Sequence, residues 1–316
     1  MTRGRGFTAA ELFALLAIVV IWGTNFVVMK AALKDFTPFQ LGAGRYLFAV
    51  LPLVLFIKPP RLRWKWVLLY GLFQGLGQFG FLFSALRVGM TASLASVLMQ
   101  TQVFFTAIFG FVLLRERAGR PLQGGLVLAG LALACFAMTY VLPASGGLAQ
   151  ATTVLGFVFN LCAAAMWGAS NIVARQAQQE SAGFDPLALV VWASLVPIVP
   201  FVLLSLWLDP EASRWRWTAA PWTSWLAVAY LGWIATIAAY GMWTALLKKH
   251  QANRVAPFSL GVPVVGLTAG VWLLGETING WQWAGIALVI AALACVMFGA
   301  AIYSQIRALR APRGHE

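Results

Sequence analysis

The chain has 316 residues, of which 61% are hydrophobic and only 10% are charged, and its mean hydropathy is +0.82. Soluble globular domains carry about 25% charged residues, so this composition excludes an ordinary soluble protein and indicates an integral membrane protein. The net charge of +13 does not predict a nucleic-acid partner, because the basic residues follow the connectors between apolar segments, as membrane topology requires.

Ten apolar stretches of the sequence are each long enough to cross a hydrocarbon core about 30 Å thick as a helix of roughly 20 residues. Barrel strands would alternate in polarity over about 10 residues, so these runs favour helices. The predicted spans are residues 9–29, 38–57, 66–86, 91–114, 122–142, 152–173, 186–208, 222–247, 255–274 and 282–303. The first could be a cleavable signal peptide, but its apolar run is long and lacks a convincing cleavage site. We therefore predict an all-α integral membrane protein of ten transmembrane helices.

Basic residues in the connectors predict the orientation of the chain in the membrane. If the N-terminus lies inside, sixteen lysines and arginines fall on cytoplasmic connectors and five on outer connectors. The five are Lys30, Lys34, Arg87, Arg214 and Arg216. The positive-inside rule therefore predicts that both termini are cytoplasmic.

The two halves of the chain, residues 1–148 and 149–316, each contain five predicted spans. They share a few residues of the same type at matching positions. A shift of 145 residues aligns two Trp-Gly pairs and two prolines, and a shift of 160 aligns two glutamates. The aligned residues are Trp22, Gly23, Pro52 and Glu116 with Trp167, Gly168, Pro197 and Glu276. Chance similarity among apolar residues is the alternative, although these residue types in the same order argue against it. Because five is odd, the second copy would lie inverted, an arrangement typical of secondary transporters whose substrate site lies near the midplane.

Four stretches carry a resemblance to a known family. They are WGTNFVVMKAAL, LASVLMQTQVFFT, AMWGASNIVAR and YGMWTALLKKHQANRVAPFSLGVPVVGLTAGVWLLGET. Over almost its whole length the chain resembles EamA-type members of the drug/metabolite transporter superfamily, in particular bacterial amino-acid exporters of the EamA (cysteine/O-acetylserine) and YddG (aromatic amino acid) kind. The resemblance implies a ten-helix basket around a central cavity, with the fifth and tenth helices peripheral, in the bacterial inner membrane. The family's Gly-Glu pair is present as Gly275-Glu276 but is replaced by Arg115-Glu116 in the first copy.

Polar and aromatic residues inside the apolar spans predict the substrate site, because polar groups in the bilayer core face the bundle interior or a water-filled cavity. Asn25 and Asn171 follow the two Trp-Gly pairs and could bind the ammonium and carboxylate of an amino acid, or could join neighbouring helices. Gln100 and Gln102 are two residues apart, a turn of roughly 200°, so at most one should line the pathway. The predicted substrate-binding residues are Trp22, Asn25, Gln78, Gln100, Trp167, Asn171, Tyr240 and Trp243.

A second group of residues is predicted to have gating or structural roles. Arg45 stands within a span and must pair, reach outward to the membrane surface, or face water, and we favour a structural or gating role over direct contact with a carboxylate. Glu116 and Glu276 lie after helices and are expected to cap the helix that follows. The prolines Pro52, Pro197 and Pro263 predict bends or hinges.

Several kinds of site are not predicted by the sequence. Cys135, Cys162 and Cys295 are far apart and lack metal-ligand spacing, so we expect no disulfide, metal or other cofactor. The nine acidic residues fall at helix ends or in connectors, so no intramembrane carboxylate is expected to relay protons. We find no constellation typical of an enzyme.

We expect a secondary transporter that exports amino acids or related zwitterions by alternating access, with a drug exporter or nucleotide-sugar carrier as the alternative. The expected partners are an amino-acid-like small molecule and membrane lipid, and the chain could act as a monomer.

Overall fold

The computed structural model of the protein describes residues 7–115, 119–141, 153–181, 183–250 and 255–310. Helices make up 84% of the structure and no strand occurs in those ranges, which confirms the all-α class. The principal helices are α1 Ala9–Ala32, α2 Pro38–Leu55, α3 Trp64–Arg87, α4 Ala92–Leu114, α5 Arg120–Val141, α6 Val154–Glu180, α7 Pro186–Leu208, α8 Trp222–Leu246, α9 Phe258–Leu274 and α10 Gly280–Arg310.

The helices have the lengths and the surface that a membrane requires. Nine of those described are long and apolar enough to cross a bilayer, whereas α9 is a shorter apolar helix. Each principal helix begins within three residues of a predicted span. Large apolar side chains point outward along the bundle, among them Trp272, which is 83% exposed. An apolar exterior of this extent is stable only against lipid.

Local sequence explains where several helices begin. Thr8, Thr37, Thr91 and Thr153 each precede a helix, and each accepts a hydrogen bond from a backbone N–H of the first turn. At Thr8 and Thr37 the third helical residue bonds back to the cap, which completes a capping box. Each cap contributes about 1 kcal/mol to the start of its helix.

Some helices depart from regular α-geometry at corresponding places in the two halves of the chain. A π-helix occupies Gly71–Gly77 within α3 and Tyr230–Ala238 within α8. The α-helical part of α2 ends at Val50, just before Pro52, and α7 is broken by a turn that contains Pro197. Because proline lacks the backbone N–H that would continue the helical bonding, both breaks follow from the sequence.

Close helix contacts recur with the same two offsets that align the sequence. A Cβ placed on Gly23 of α1 would lie 2.5 Å from the Cβ of Val265 in α9. A Cβ placed on Gly168 of α6 would lie 2.8 Å from the Cβ of Phe105 in α4. Gly23 and Gly168 differ by 145 positions and their partners by 160. The α1–α9 contact therefore has its counterpart in the α6–α4 contact, and only glycine allows either.

In the contact between α5 and α10, each helix supplies a glycine and a large side chain at matching positions. A Cβ on Gly125 of α5 would meet the side chain of Val296 at 2.5 Å, and a Cβ on Gly285 of α10 would meet the ring of Phe136 at 2.8 Å. Both pairs of matching residues differ by 160 positions. The two helices thus contact each other through equivalent surfaces.

Charged side chains pair at the two ends of the bundle. At one end Glu11 lies 3.1 Å from His250 and 3.5 Å from Lys249, and Glu180 binds Arg63 and Lys65. At the other end Lys30 pairs with Glu276, and Arg87 donates to the carbonyl of Leu33. In the described part of the chain, none of these pairs joins a connector predicted to be inside with one predicted to be outside.

Candidate functional site

A central cavity of about 450 Å³ lies within the bundle, in the size range of small-ligand sites. Side chains from both halves of the chain line it, from α1 to α4, α6 and α8 to α10. Among the described residues α5 and α7 contribute none, whereas α10 contributes Leu293 and Met297. The tenth helix packs mainly against α5, as a peripheral helix would, but two of its side chains also reach the cavity.

All eight of the predicted substrate-binding residues line this one cavity. They are Trp22, Asn25, Gln78, Gln100, Trp167, Asn171, Tyr240 and Trp243. Sequence reasoning missed most of the apolar lining, such as Phe26, Met29 and Leu82, because nothing in the sequence distinguishes an apolar cavity residue from one that faces lipid. Tyr70 and Phe79 also line the cavity, and only Tyr70, as a polar aromatic within a span, carried a usable signal.

Three aromatic rings form one wall of the cavity. The ring of Trp22 lies 5.2 Å from that of Tyr240 and 5.5 Å from that of Trp243, between ring centroids. The indole N–H of Trp22 donates to the carbonyl of Ala235 at 3.0 Å. This bond holds the indole in place, so α1 and α8 present a fixed aromatic surface to the cavity.

Two amides in the cavity wall keep acceptor atoms without partners. Asn25 in α1 is 7% exposed and its Oδ1 has no hydrogen bond. Gln78 in α3 is 4% exposed and its Oε1 has none either. An unsatisfied buried acceptor costs about 1–3 kcal/mol. Both residues line the cavity, and each keeps an acceptor that no described group of the protein uses.

Asn171 differs from Asn25, although each follows a Trp-Gly pair. Its amide nitrogen donates to Oε1 of Gln102 at 2.7 Å and to Oγ1 of Thr106 at 3.0 Å. These bonds join α6 to α4, which is the interhelical role considered as the alternative. The two asparagines therefore have different hydrogen-bonding environments.

Gln100 and Gln102 both line the cavity, so the expectation that at most one could do so is wrong. Met99–Thr101 is a 3-10 turn and not a regular α-helix, which changes the angle between the two side chains. Gln100 donates to the carbonyl of Ser259 in α9 at 3.3 Å, whereas Gln102 binds Asn171 in α6. Because these two side chains point towards different neighbours, α9 and α6, α4 presents a wide face to the cavity.

Arg45 lies in the interior and does not reach the membrane surface. Its side chain is 2% exposed, and it lines the cavity. Its Nε donates to Oγ1 of Thr236 at 3.2 Å, and the guanidinium lies 3.9 Å from the ring centroid of Phe79. Its Nη1 has no partner. Gly232 lets α8 pack closely over this region, since a Cβ there would lie 2.8 Å from the Arg45 carbonyl.

Glu276 caps a helix, but a different one from that predicted. Its carboxylate accepts the backbone N–H groups of Ala92 and Ser93 at 2.7 and 2.8 Å. These begin α4, whereas the start of α10 is capped by Asn279. Glu276 reaches α4 because the chain reverses after α9 beside the start of α4. Its counterpart Glu116 lies outside the described residues.

Pro263 is buried near the start of the α-helical part of α9, which begins at Gly261 after a 3-10 segment. In the first turn of a helix proline removes no internal hydrogen bond. Pro263 therefore marks a change of helix type and does not interrupt a regular helix.

Comparison with known sequences identifies the family. The sequence profile of the EamA-like transporter family matches residues 9–138 and 154–298. The chain belongs to the EamA-like transporter family. As expected from the resemblance, it is a member of a family of multi-pass membrane transporters.

Two similar proteins carry an informative name. This EamA-like transporter is 40% identical over 300 residues to a protein of Salmonella typhimurium called "Probable amino-acid metabolite efflux pump", with 95% of this chain and 96% of that one covered. A protein of the same name from Escherichia coli is 38% identical, with 90% of this chain and 93% of that one covered. A crystal structure with 19% identity matches with a TM-score of 0.59 over 96% of this chain and 100% of that chain, which supports the fold alone.

Proposed function

We propose that this EamA-like transporter exports amino acids or related small zwitterionic metabolites from the cytoplasm. The proposal rests on one observation: Asn25, Gln78 and Arg45 line a largely apolar cavity, and each has a buried polar atom without a hydrogen-bond partner. Amide oxygens accept hydrogen bonds and a guanidinium donates them, so a solute with both an ammonium and a carboxylate complements the set. The efflux-pump names of the two relatives support the same substrate class.

We further propose that residues 1–148 and 149–316 form two inverted five-helix halves with both termini in the cytoplasm. The reciprocal contacts of Gly23 and Gly168 support this symmetry, as does the separation of charged pairs into two ends. Inverted halves allow a central site to open to either side by rocking of one half against the other. That motion is the alternating access on which export depends.

Export is proposed to proceed without an intramembrane proton relay. No aspartate, glutamate or histidine is among the described lining residues of the cavity, and proton-coupled transporters commonly use such a group. Flux of the substrate into proteoliposomes should then continue when a proton gradient is removed. Flux that collapses without the gradient would contradict this part of the proposal.

A screen for released amino acids tests the proposed function. Cells that express the transporter are loaded with dipeptides, and the medium is analysed for every amino acid against cells that carry an empty vector. We expect at least one amino acid to be released faster. A drug exporter or nucleotide-sugar carrier is the alternative, so purified protein is also tested for binding of quaternary amines and of phosphorylated sugars. Binding of either, with no amino acid released, would overturn the proposal.

A further inference from the structure

We propose that Arg45 binds the carboxylate of the transported solute while Asn25 and Gln78 accept hydrogen bonds from its ammonium. The inference rests on the proposed function and deepens it, because it assigns each charged end of the substrate to named residues. It also defines the substrate class as solutes with a free carboxylate, and it excludes amides, esters and simple amines of similar size.

The partners of Arg45 within the protein do not neutralise its charge. A guanidinium has five N–H donors, of which the described bonds use one, from Nε to Thr236. The ring of Phe79 covers one face of the group. Nη1 is buried without a partner, and the described ion pairs all lie at the ends of the bundle. Burial of an unpaired charge is strongly unfavourable, so this position favours an anion that arrives with the ligand.

A bound water does not remove the requirement for an anion. Arg45 also borders a second, smaller cavity of about 20 Å³, which has room for about one water. A single water can accept a hydrogen bond from Nη1 but carries no charge. A carboxylate accepts two parallel N–H bonds from a guanidinium and supplies the counter-charge at the same time.

The proposed acceptors for the ammonium line the same cavity as the arginine. Gln78 directly precedes Phe79, on which the guanidinium of Arg45 stacks. Asn25 lies one turn after Trp22 in α1, so it adjoins the aromatic wall. An ammonium has three donors, and the two unpartnered amide oxygens take two of them. The aromatic wall is then left for the side chain of the solute.

Among the described lining residues the arrangement occurs once, which gives the solute one orientation. Val190 is the residue of α7 that the 145-residue shift aligns with Arg45, and it lines the smaller cavity without offering a donor. The amide donors of Asn171 are already used by Gln102 and Thr106. Among the described residues that line the cavity, the guanidinium and the unpartnered amide oxygens therefore all belong to the first half of the chain.

Binding to the purified wild-type protein in nanodiscs tests the inference without any substitution. L-leucine, L-phenylalanine and L-cysteine are each compared with the corresponding amide, by competition for the most strongly released amino acid. A hydrogen-bonded charge pair should favour each acid that binds over its amide by about 10- to 100-fold. Equal binding of acid and amide would overturn the role of Arg45 but leave the proposed function intact, whereas binding of no amino acid would overturn both.

Substitutions separate recognition from a structural role. In Arg45→Gln the preference for acid over amide should fall to about onefold while binding of the amide changes little. Equal weakening of both ligands would show that Arg45 only supports the fold. If Arg45→Gln does not fold, Arg45→Lys gives the same comparison with the charge retained, and its preference should fall but stay above onefold. Asn25→Leu should instead reduce the preference for L-phenylalanine over 3-phenylpropanoate, which lacks the ammonium group. An unchanged preference would overturn the proposed bond between Asn25 and the ammonium.

Discussion

The Nζ of Lys30 lies 3.2 Å from Oε1 of Glu276 and joins the end of α1 to the end of α9. Lys30 also donates to the carbonyl of Met90, and the Glu276 carboxylate holds the first N–H groups of α4. One buried carboxylate thus connects helices from both halves at the end predicted to face outward. Outward opening would have to separate these groups.

Glu276→Gln should weaken this connection. The side chain of Glu276 is 1% exposed and that of Lys30 is 25% exposed, so the loss is smaller than for a fully buried pair, about 1–3 kcal/mol of unfolding free energy. Denaturant titration in mixed micelles measures it. Glu180→Gln is the matched control, because its carboxylate is 30% exposed and its partners are surface cations, and it should lose less. Equal losses in the two variants would contradict the prediction.

Arg115→Gly should stabilise the protein. Arg115 ends α4 with φ of 55°, in the left-handed region where its counterpart Gly275 ends α9 with φ of 65°. The left-handed conformation costs a residue with a side chain about 1–2 kcal/mol relative to glycine. Glycine loses more conformational entropy on folding, which offsets part of this gain. We expect a net gain of about 0.5–1 kcal/mol in the same titration. The reverse change, Gly275→Arg, should destabilise the protein, and a loss in Arg115→Gly would show the strain is absent.

Gly23→Ala should separate α1 from α9. The new methyl would lie 2.5 Å from the Cβ of Val265 and 3.1 Å from the backbone nitrogen of Gly266, so backbones must shift, at a cost of about 1–3 kcal/mol. The control is Gly130→Ala in α5, where nothing lies within 4 Å of the added carbon. That variant should be neutral or gain up to about 1 kcal/mol. Thermal unfolding in detergent compares the two, and equal melting temperatures would refute the close contact.

Trp243→Ala should impair transport while lipid-facing Trp272→Ala should not. Trp243 lines the cavity beside Trp22, and removing its ring removes apolar contact with the solute, for an expected loss of about 10- to 100-fold in substrate affinity. Trp272 is 83% exposed, so we expect it to contact lipid. The measurement is export of the amino acid found in the screen, normalised to folded protein by size-exclusion chromatography. Similar export by both variants would remove Trp243 from the site.

Hydropathy alone predicted the positions of the helices, because the free energy of placing a helix in lipid depends on the residues of that helix. The polar side chains in the spans, such as Asn25 and Gln78, could be assigned to a cavity for the same reason, since lipid offers them no hydrogen bond. The sparse repeat also indicated that α1 and α6 occupy equivalent positions. Their glycine contacts recur with the predicted offsets.

The environment of each polar residue could not be predicted, because it depends on helices distant in the chain. Composition was enough to predict that polar groups lie inside an apolar bundle, whereas their hydrogen-bond partners follow from how the helices pack. It placed Asn171 against Gln102, left Asn25 with a free acceptor, and aligned Glu276 with the start of α4. It also enclosed Arg45 between Thr236 and Phe79. Hydrogen bonds require atoms about 3 Å apart and charge pairs atoms within about 4 Å, and only the packing of the helices brings such atoms together.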